Sequence, residues 1–315
     1  MSWRDHPERG SRTGLELLVL MTDILGRDFV GLVLWPVCVY FALFARKARA
    51  ASQAYLARMQ IPATFANVVR HLHRFAWVAA DRYLFLAEDL RTFELRHFGH
   101  EHMLTMAQDP RGALLLGSHV GSFEAMRTLA LRHQFPLAIV ADFGNAARIN
   151  GVLSQLQPNL KLDLIEHDPH NTLWMLEVKA RTEVGGLVAM LADRASDEER
   201  AQPAGARQVP RAVQVDFLGG RAMLPTGPFV LAHVLGCPVY LVFALFDGQR
   251  RYDLYCEPFA DRIELPRTDR ARALEELTQR YADRLAAHVA KDPFNWFNFY
   301  DFWKPENGLG AHADE

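Results

Sequence analysis

From Phe29 to Ala45 the chain reads FVGLVLWPVCVYFALFA, seventeen residues without a charge. Such a run becomes a helix that is buried in a core, lies on a bilayer or crosses one. It falls a little short of the roughly 20 residues a perpendicular span needs, and Pro36 interrupts its middle. A second apolar stretch, Leu15 to Leu25, precedes it, broken by Glu16 and Asp23 and separated from it by Arg27-Asp28. No small-residue cleavage site follows, so the run is not read as a signal peptide. Arg46, Lys47, Arg49 and Arg58 come directly after, where basic residues would hold the following segment in the cytoplasm. The expectation is a membrane-associating hairpin, as a short span or an interfacial or re-entrant element. The alternative is a buried hairpin in a soluble protein.

Half of the 315 residues are hydrophobic, enough for a sizeable core. Lys plus Arg (35) nearly balance Asp plus Glu (37), so no basic excess points to nucleic acid. Cys38, Cys237 and Cys256 are scattered and odd in number, and read as small buried residues in a reduced compartment. His97, His100 and His102 fit no zinc spacing, and no metal is expected.

Four regions follow from the pattern: 1–47, the hydrophobic hairpin; 48–110, helical by its three- and four-residue apolar spacing; 111–305, an α/β core; and 306–315, a disordered tail. In the core, strands are expected at 113–116, 137–141, 162–165, 186–191, 212–217, 238–245 and 252–256. Helical segments fall near 146–156, 171–181 and 227–236, and a long amphipathic helix spans 268–289. Strands alternating with helices imply a mixed, largely buried sheet flanked by helices. The polar stretch 196–211, SDEERAQPAGARQVPR, reads as a long loop. The aromatic segment DPFNWFNFYDFW, 292–303, either packs on the core or meets a bilayer interface.

One segment carries chemistry: LLLGSHVGSFEAMR, 114–127. His119 follows an apolar strand, and Glu124 lies five residues on, in the first turn of a helix capped by Ser122. Histidine accepts a proton near neutral pH, and a carboxylate on its far nitrogen would fix the tautomer. Gly117 and Gly121 allow close approach, and neighbouring backbone N–H groups could hold an oxyanion. The expectation is that Glu124 orients His119 as a general base. Spacing alone leaves open a surface histidine beside a helix-terminal glutamate.

This segment resembles the HX4E block of the bacterial late acyltransferases of lipid A, within the lysophospholipid acyltransferase superfamily. The resemblance continues through Asp193-Arg194, through VDFLGGRAMLPTGPFVLAHVLGCPVYLVF (215–243) and into Asn295-Trp296-Phe297. In detail it is closest to a branch associated with aryl polyene and fatty-acid gene clusters, so lipid A itself is not the default acceptor.

The resemblance implies a glycerolipid acyltransferase-like fold and His119 and Glu124 as catalytic residues. It places Ser118, Gly121, Arg148, Asp193, Arg194, Thr226 and Gly227 around the substrates. It further implies an acyl carrier protein or coenzyme A thioester as co-substrate, a lipid acceptor with a hydroxyl or amine, and no bound cofactor. The location it implies is the cytoplasmic face of a Gram-negative inner membrane. Two other readings stay open: a lipid-binding membrane protein that kept the fold without the chemistry, and a thioester or lipid hydrolase using Ser118 or Ser122.

Overall fold

A computed structural model describes residues 12–132, 135–141, 163–168, 171–201 and 209–303. The expected helix near 146–156, Arg148, the middle of the polar loop (202–208) and the 306–315 tail lie outside these residues.

The uncharged run forms α2 (Arg27–Phe44), which folds back on α1 (Arg12–Leu25). It is long and apolar enough to cross a membrane, and 33% of its length is buried against the protein. Val30, Gly31, Leu34, Cys38 and Ala42 face inward at helical spacing, whereas Phe29, Leu32, Trp35, Tyr40, Leu43 and Phe44 stay exposed. The inward face packs along α4 (Phe65–Leu86), whose first turn is capped by Thr64 through the Asn67 N–H. Gly31 is needed there, because any side chain would run into the Trp77 ring. Between them α3 (Arg46–Arg58) makes the connection.

A buried ion pair locks this hairpin to the body. The guanidinium of Arg27 grips Asp81 with two hydrogen bonds of 2.7 and 2.8 Å, and Tyr252 donates a third at 2.7 Å. Arg27 also lies over the Trp77 ring at 4.0 Å.

Among the described residues, seven strands build one sheet: β1 (Glu94–Phe98), β2 (Ala113–Gly117), β3 (Leu137–Ala141), β4 (Asp163–Glu166), β5 (Leu187–Leu191), β8 (Val239–Phe246) and β9 (Arg251–Ala260). Their order is β1-β9-β8-β2-β5-β3-β4, and every pair is parallel except β8 with β9. A separate antiparallel hairpin joins β6 (Ala212–Phe217) to β7 (Gly220–Pro225). The strands β2 and β8 are buried along their whole length, as continuous apolar runs in a parallel sheet should be.

Three elements differ from the sequence expectation: a short helix, Asp197–Ala201, opens the stretch read as a long loop, and two strands were not expected. Strand β1 falls within the region read as helical: ELRHF has no apolar alternation to announce it, and it holds its place as an edge strand by pairing with β9. Strand β7, GRAMLP, was hidden by its glycine and proline ends.

Helices cover both faces. One face of the sheet (Leu114, Leu116, Val188, Met190, Leu241, Phe243, Leu245) packs with α10 (Arg270–Lys291) through Leu274, Tyr281 and Leu285. The other (Leu115, Leu187, Ala189, Val242, Ala244, Phe246) packs with Trp77, Val78 and Phe85 of α4 and with Ala125 and Met126 of α6 (Phe123–Arg132). The remaining helices are α5 (His100–Gln108), α7 (Leu173–Thr182), α8 (Asp197–Ala201) and α9 (Gly227–Leu235).

Candidate active site

Parallel pairing of β2 with β5 sets Gly117 beside Leu191, and the Ala192 N–H donates to the Gly117 carbonyl at 3.0 Å. Two residues beyond each strand end come His119 and Asp193. The register therefore delivers them side by side at the carboxyl edge of the sheet, where active sites of α/β folds gather. The His119 ring places Nδ1 2.9 Å from Asp193 Oδ1, and the His119 backbone N–H donates to Asp193 Oδ2 at 3.0 Å.

The electrostatics fix the tautomer. Burial alone would raise the Asp193 carboxyl, but the His119 ring, its hydrogen bonds and the Arg194 charge outweigh it and hold the group below the usual carboxylate range. An ionised carboxylate only accepts, so Nδ1 carries the proton and Nε2 keeps its lone pair. Among the described residues none hydrogen-bonds Nε2, and 28% of the side chain is exposed. The pKa of His119 lies below its ordinary value. Burial is the main cause, Arg194 adds to it and Asp193 opposes it. The ring is thus neutral at neutral pH, with Nε2 placed to accept a proton.

The carboxylate on the far nitrogen of His119 is therefore that of Asp193, not Glu124 as the five-residue spacing suggested. Glu124 instead meets Arg82 of α4, Oε1 to Nε at 2.7 Å. The reason is packing: α6 lies against α4, and a side chain in its first turn is carried toward that neighbour.

Three of the backbone N–H groups around His119 are already engaged. Those of His119, Gly121 and Ser122 donate to Asp193, to the Asn295 carbonyl and to the Ala244 carbonyl. Gly121 has φ +65°, and a side chain there would overlap the Ala244 carbonyl, so its role is the turn itself. Ser122 caps α6 by accepting from the Ala125 N–H at 3.1 Å. The Ser118 hydroxyl is buried without a hydrogen-bond partner. Thr226 is buried, with its hydroxyl donated to the Pro210 carbonyl, and Gly227 opens α9; both shape the chain and are not brought to His119 by any contact described.

The aromatic segment packs on the core and closes one wall of the site. Asn295 mimics a strand neighbour: its Oδ1 accepts from the Phe246 N–H at 2.8 Å and its Nδ2 donates to the Phe246 carbonyl at 2.9 Å. Phe297 then donates its N–H to the His119 carbonyl at 2.9 Å, and its own carbonyl accepts from Arg194 Nη2 at 2.8 Å. Between them, the Trp296 carbonyl accepts from His71 Nε2 at 2.9 Å, and Ser52 bonds His71 Nδ1 at 2.9 Å. Tyr281 on α10 supports the strand end from below, donating to the Gly117 carbonyl at 2.8 Å. Arg194, close enough to lower the His119 pKa, is the positive charge nearest the reactive ring that these contacts identify.

Sequence reasoning brought Asp193 and Arg194 to the site without the dyad role of Asp193, and it missed Arg82, His71 and Tyr281. The parallel register was the one signal for Asp193, and it is a long-range property. For the others no local pattern existed.

The chain is similar to known proteins. Over 210 residues the chain is 23% identical to the phosphatidylinositol mannoside acyltransferase of Mycolicibacterium smegmatis, a match covering 64% of this chain and 60% of that protein. Residues 60–305, from the approach to α4 through the aromatic segment, match the family of bacterial lipid A biosynthesis acyltransferases. The chain belongs to that family.

Proposed function

We propose that this protein transfers a fatty or polyenoic acyl group from a thioester, on acyl carrier protein or coenzyme A, to a hydroxyl or amine of a lipid acceptor. The observation that carries the reading is the His119–Asp193 pair, with Nδ1 spent on the carboxylate and Nε2 open. Nε2 takes the proton of the acceptor while its oxygen or nitrogen bonds to the thioester carbonyl carbon. The resulting imidazolium is stabilised by Asp193, and the oxyanion of the tetrahedral intermediate gains from Arg194. Collapse breaks the carbon–sulfur bond, and the proton on Nε2 passes to the departing thiolate. No acyl-enzyme is formed.

The exposed face of α1 and α2 suits the bilayer surface from which such an acceptor would be drawn. Leu17, Leu20, Ile24, Leu32, Trp35, Tyr40, Leu43 and Phe44 are exposed together, and Arg46 and Lys47 follow at once. Because its other face is sealed to α4 and Arg27 is tied to Asp81, the hairpin in this reading lies in the membrane plane at the cytoplasmic face.

The test is an acyl-transfer assay with lipid products read by mass spectrometry. His119→Ala should abolish transfer while the protein stays folded and lipid-bound, and Ser118→Ala should retain it. Normal turnover by His119→Ala would defeat the proposal. Covalent labelling of Ser118 by a fluorophosphonate would favour a serine hydrolase instead.

A further inference from the structure

Arg127, on α6 one turn beyond Glu124, is 6% exposed. Its Nε and Nη2 are buried, and neither meets a hydrogen-bond partner among the described residues. A guanidinium stays charged, and a buried charge with unfilled donors is costly enough that a native structure needs a reason to keep it. Its neighbours give the reason a direction. Burial pulls the Arg127 pKa down, Glu124 and Glu88 push back, and Arg82 adds to the lowering, so all three side chains lie around it. Glu124 is in turn paired with Arg82 at 2.7 Å.

Two carboxylates, Glu124 and Glu88, thus stand near two arginines carried on two helices, beside the turn that carries His119. Arg82 and Glu124 keep 26% and 16% of their side-chain exposure, so the cluster opens to solvent rather than being sealed. Forked donors from two directions, two of them unspent, match the oxygens of a phosphate better than one more carboxylate.

We propose that Arg82 and Arg127 form a phosphate clamp for one of the two substrates, with Glu124 holding Arg82 in place until that phosphate arrives. This rests on the acyl-transfer reading, and it gives Glu124 a binding role separate from the base at His119. The phosphate is that of the pantetheine arm of the acyl donor or that of the lipid headgroup of the acceptor.

Binding without turnover separates the sources, and it separates this proposal from the catalytic one. Affinity of the full-length protein is measured for 4′-phosphopantetheine against pantetheine, and for lysophosphatidate against monoacylglycerol in uncharged detergent micelles. In one pair the phosphorylated member should bind about tenfold tighter or better, and inorganic phosphate should compete. In Arg127→Gln and, independently, in Arg82→Gln, that preference should collapse to near unity with the circular dichroism spectrum unchanged. Should Arg127→Gln fail to fold, the more exposed Arg82→Gln carries the test. A preference in the first pair identifies the donor as the source, and one in the second identifies the acceptor. Absence of any preference in the unmodified protein, or its survival in a folded variant, overturns the clamp whatever the transfer assay gives.

Discussion

Two carboxylates belong to the surroundings of His119, one near in sequence and one across the sheet, and they sit in unlike settings. Asp193 follows β5, an interior strand, and is almost wholly buried with both oxygens bonded to His119. Glu124 sits in the first turn of α6, partly exposed, and pairs with an arginine of α4. The one near in sequence is remote in role, and the one 74 residues away is in contact. A carboxylate fixed by two hydrogen bonds to one residue can hold both its ring and its backbone. A carboxylate shared between cations on two helices organises charge.

The largest effect should separate them directly. Asp193→Asn frees the wrong tautomer and should lower kcat by about 10³–10⁴-fold. Glu124→Gln should leave most of kcat and raise the KM of the phosphate-bearing substrate. Steady-state kinetics on both variants decide it, and equal losses of kcat would break the contrast.

Next in size is Arg194→Gln. Removing a charge aimed at the developing oxyanion should cost about 10²–10³-fold in kcat. It should also move the acid limb of the rate profile. The base must be neutral, so activity rises with pH through the His119 pKa, which lies below the usual imidazole value. Arg194 lowers that pKa, so its loss shifts the limb upward. Asp193 raises it, so in Asp193→Asn the residual limb shifts downward. A pH–rate profile in which both variants move the same way would contradict the arrangement.

The smallest expected effect concerns His71, a neutral histidine with both nitrogens bonded inside the protein. Burial lowers its pKa from the ordinary 6.5 to about 4. The unfolded chain binds the extra proton, so this site costs nothing above the ordinary value. Stability is lost as pH falls from there toward about 4. The loss over that window is on the order of 3 kcal/mol. Denaturant melts of His71→Asn, compared with the unmodified chain, should be less stable at neutral pH and flatter across this range. An unchanged slope would show that His71 is not held neutral by its burial.

Much of the fold was legible because its signals are local. Continuous apolar runs announced β2, β5 and β8, since strands buried on both faces need apolar side chains at every position. The stripe through Leu274, Tyr281, Leu285 and Val289 announced α10. His119 was legible too, from its place after an apolar strand and before a capped helix. β1 was not, because an exposed edge strand needs no apolar alternation to hold its place in the sheet.

By itself, the sequence determined a hydrophobic hairpin, an α/β core and the place of His119 at a strand-to-helix turn, because helical and strand periodicities and caps act over a few residues. Only the tertiary structure decided which acid serves that histidine, which backbone groups are already spent, and that the aromatic segment walls the site. Parallel pairing joins β2 to β5 across some seventy residues, and no local pattern encodes that register. The same holds for α6 against α4, whose packing turns Glu124 away from His119 and toward Arg82.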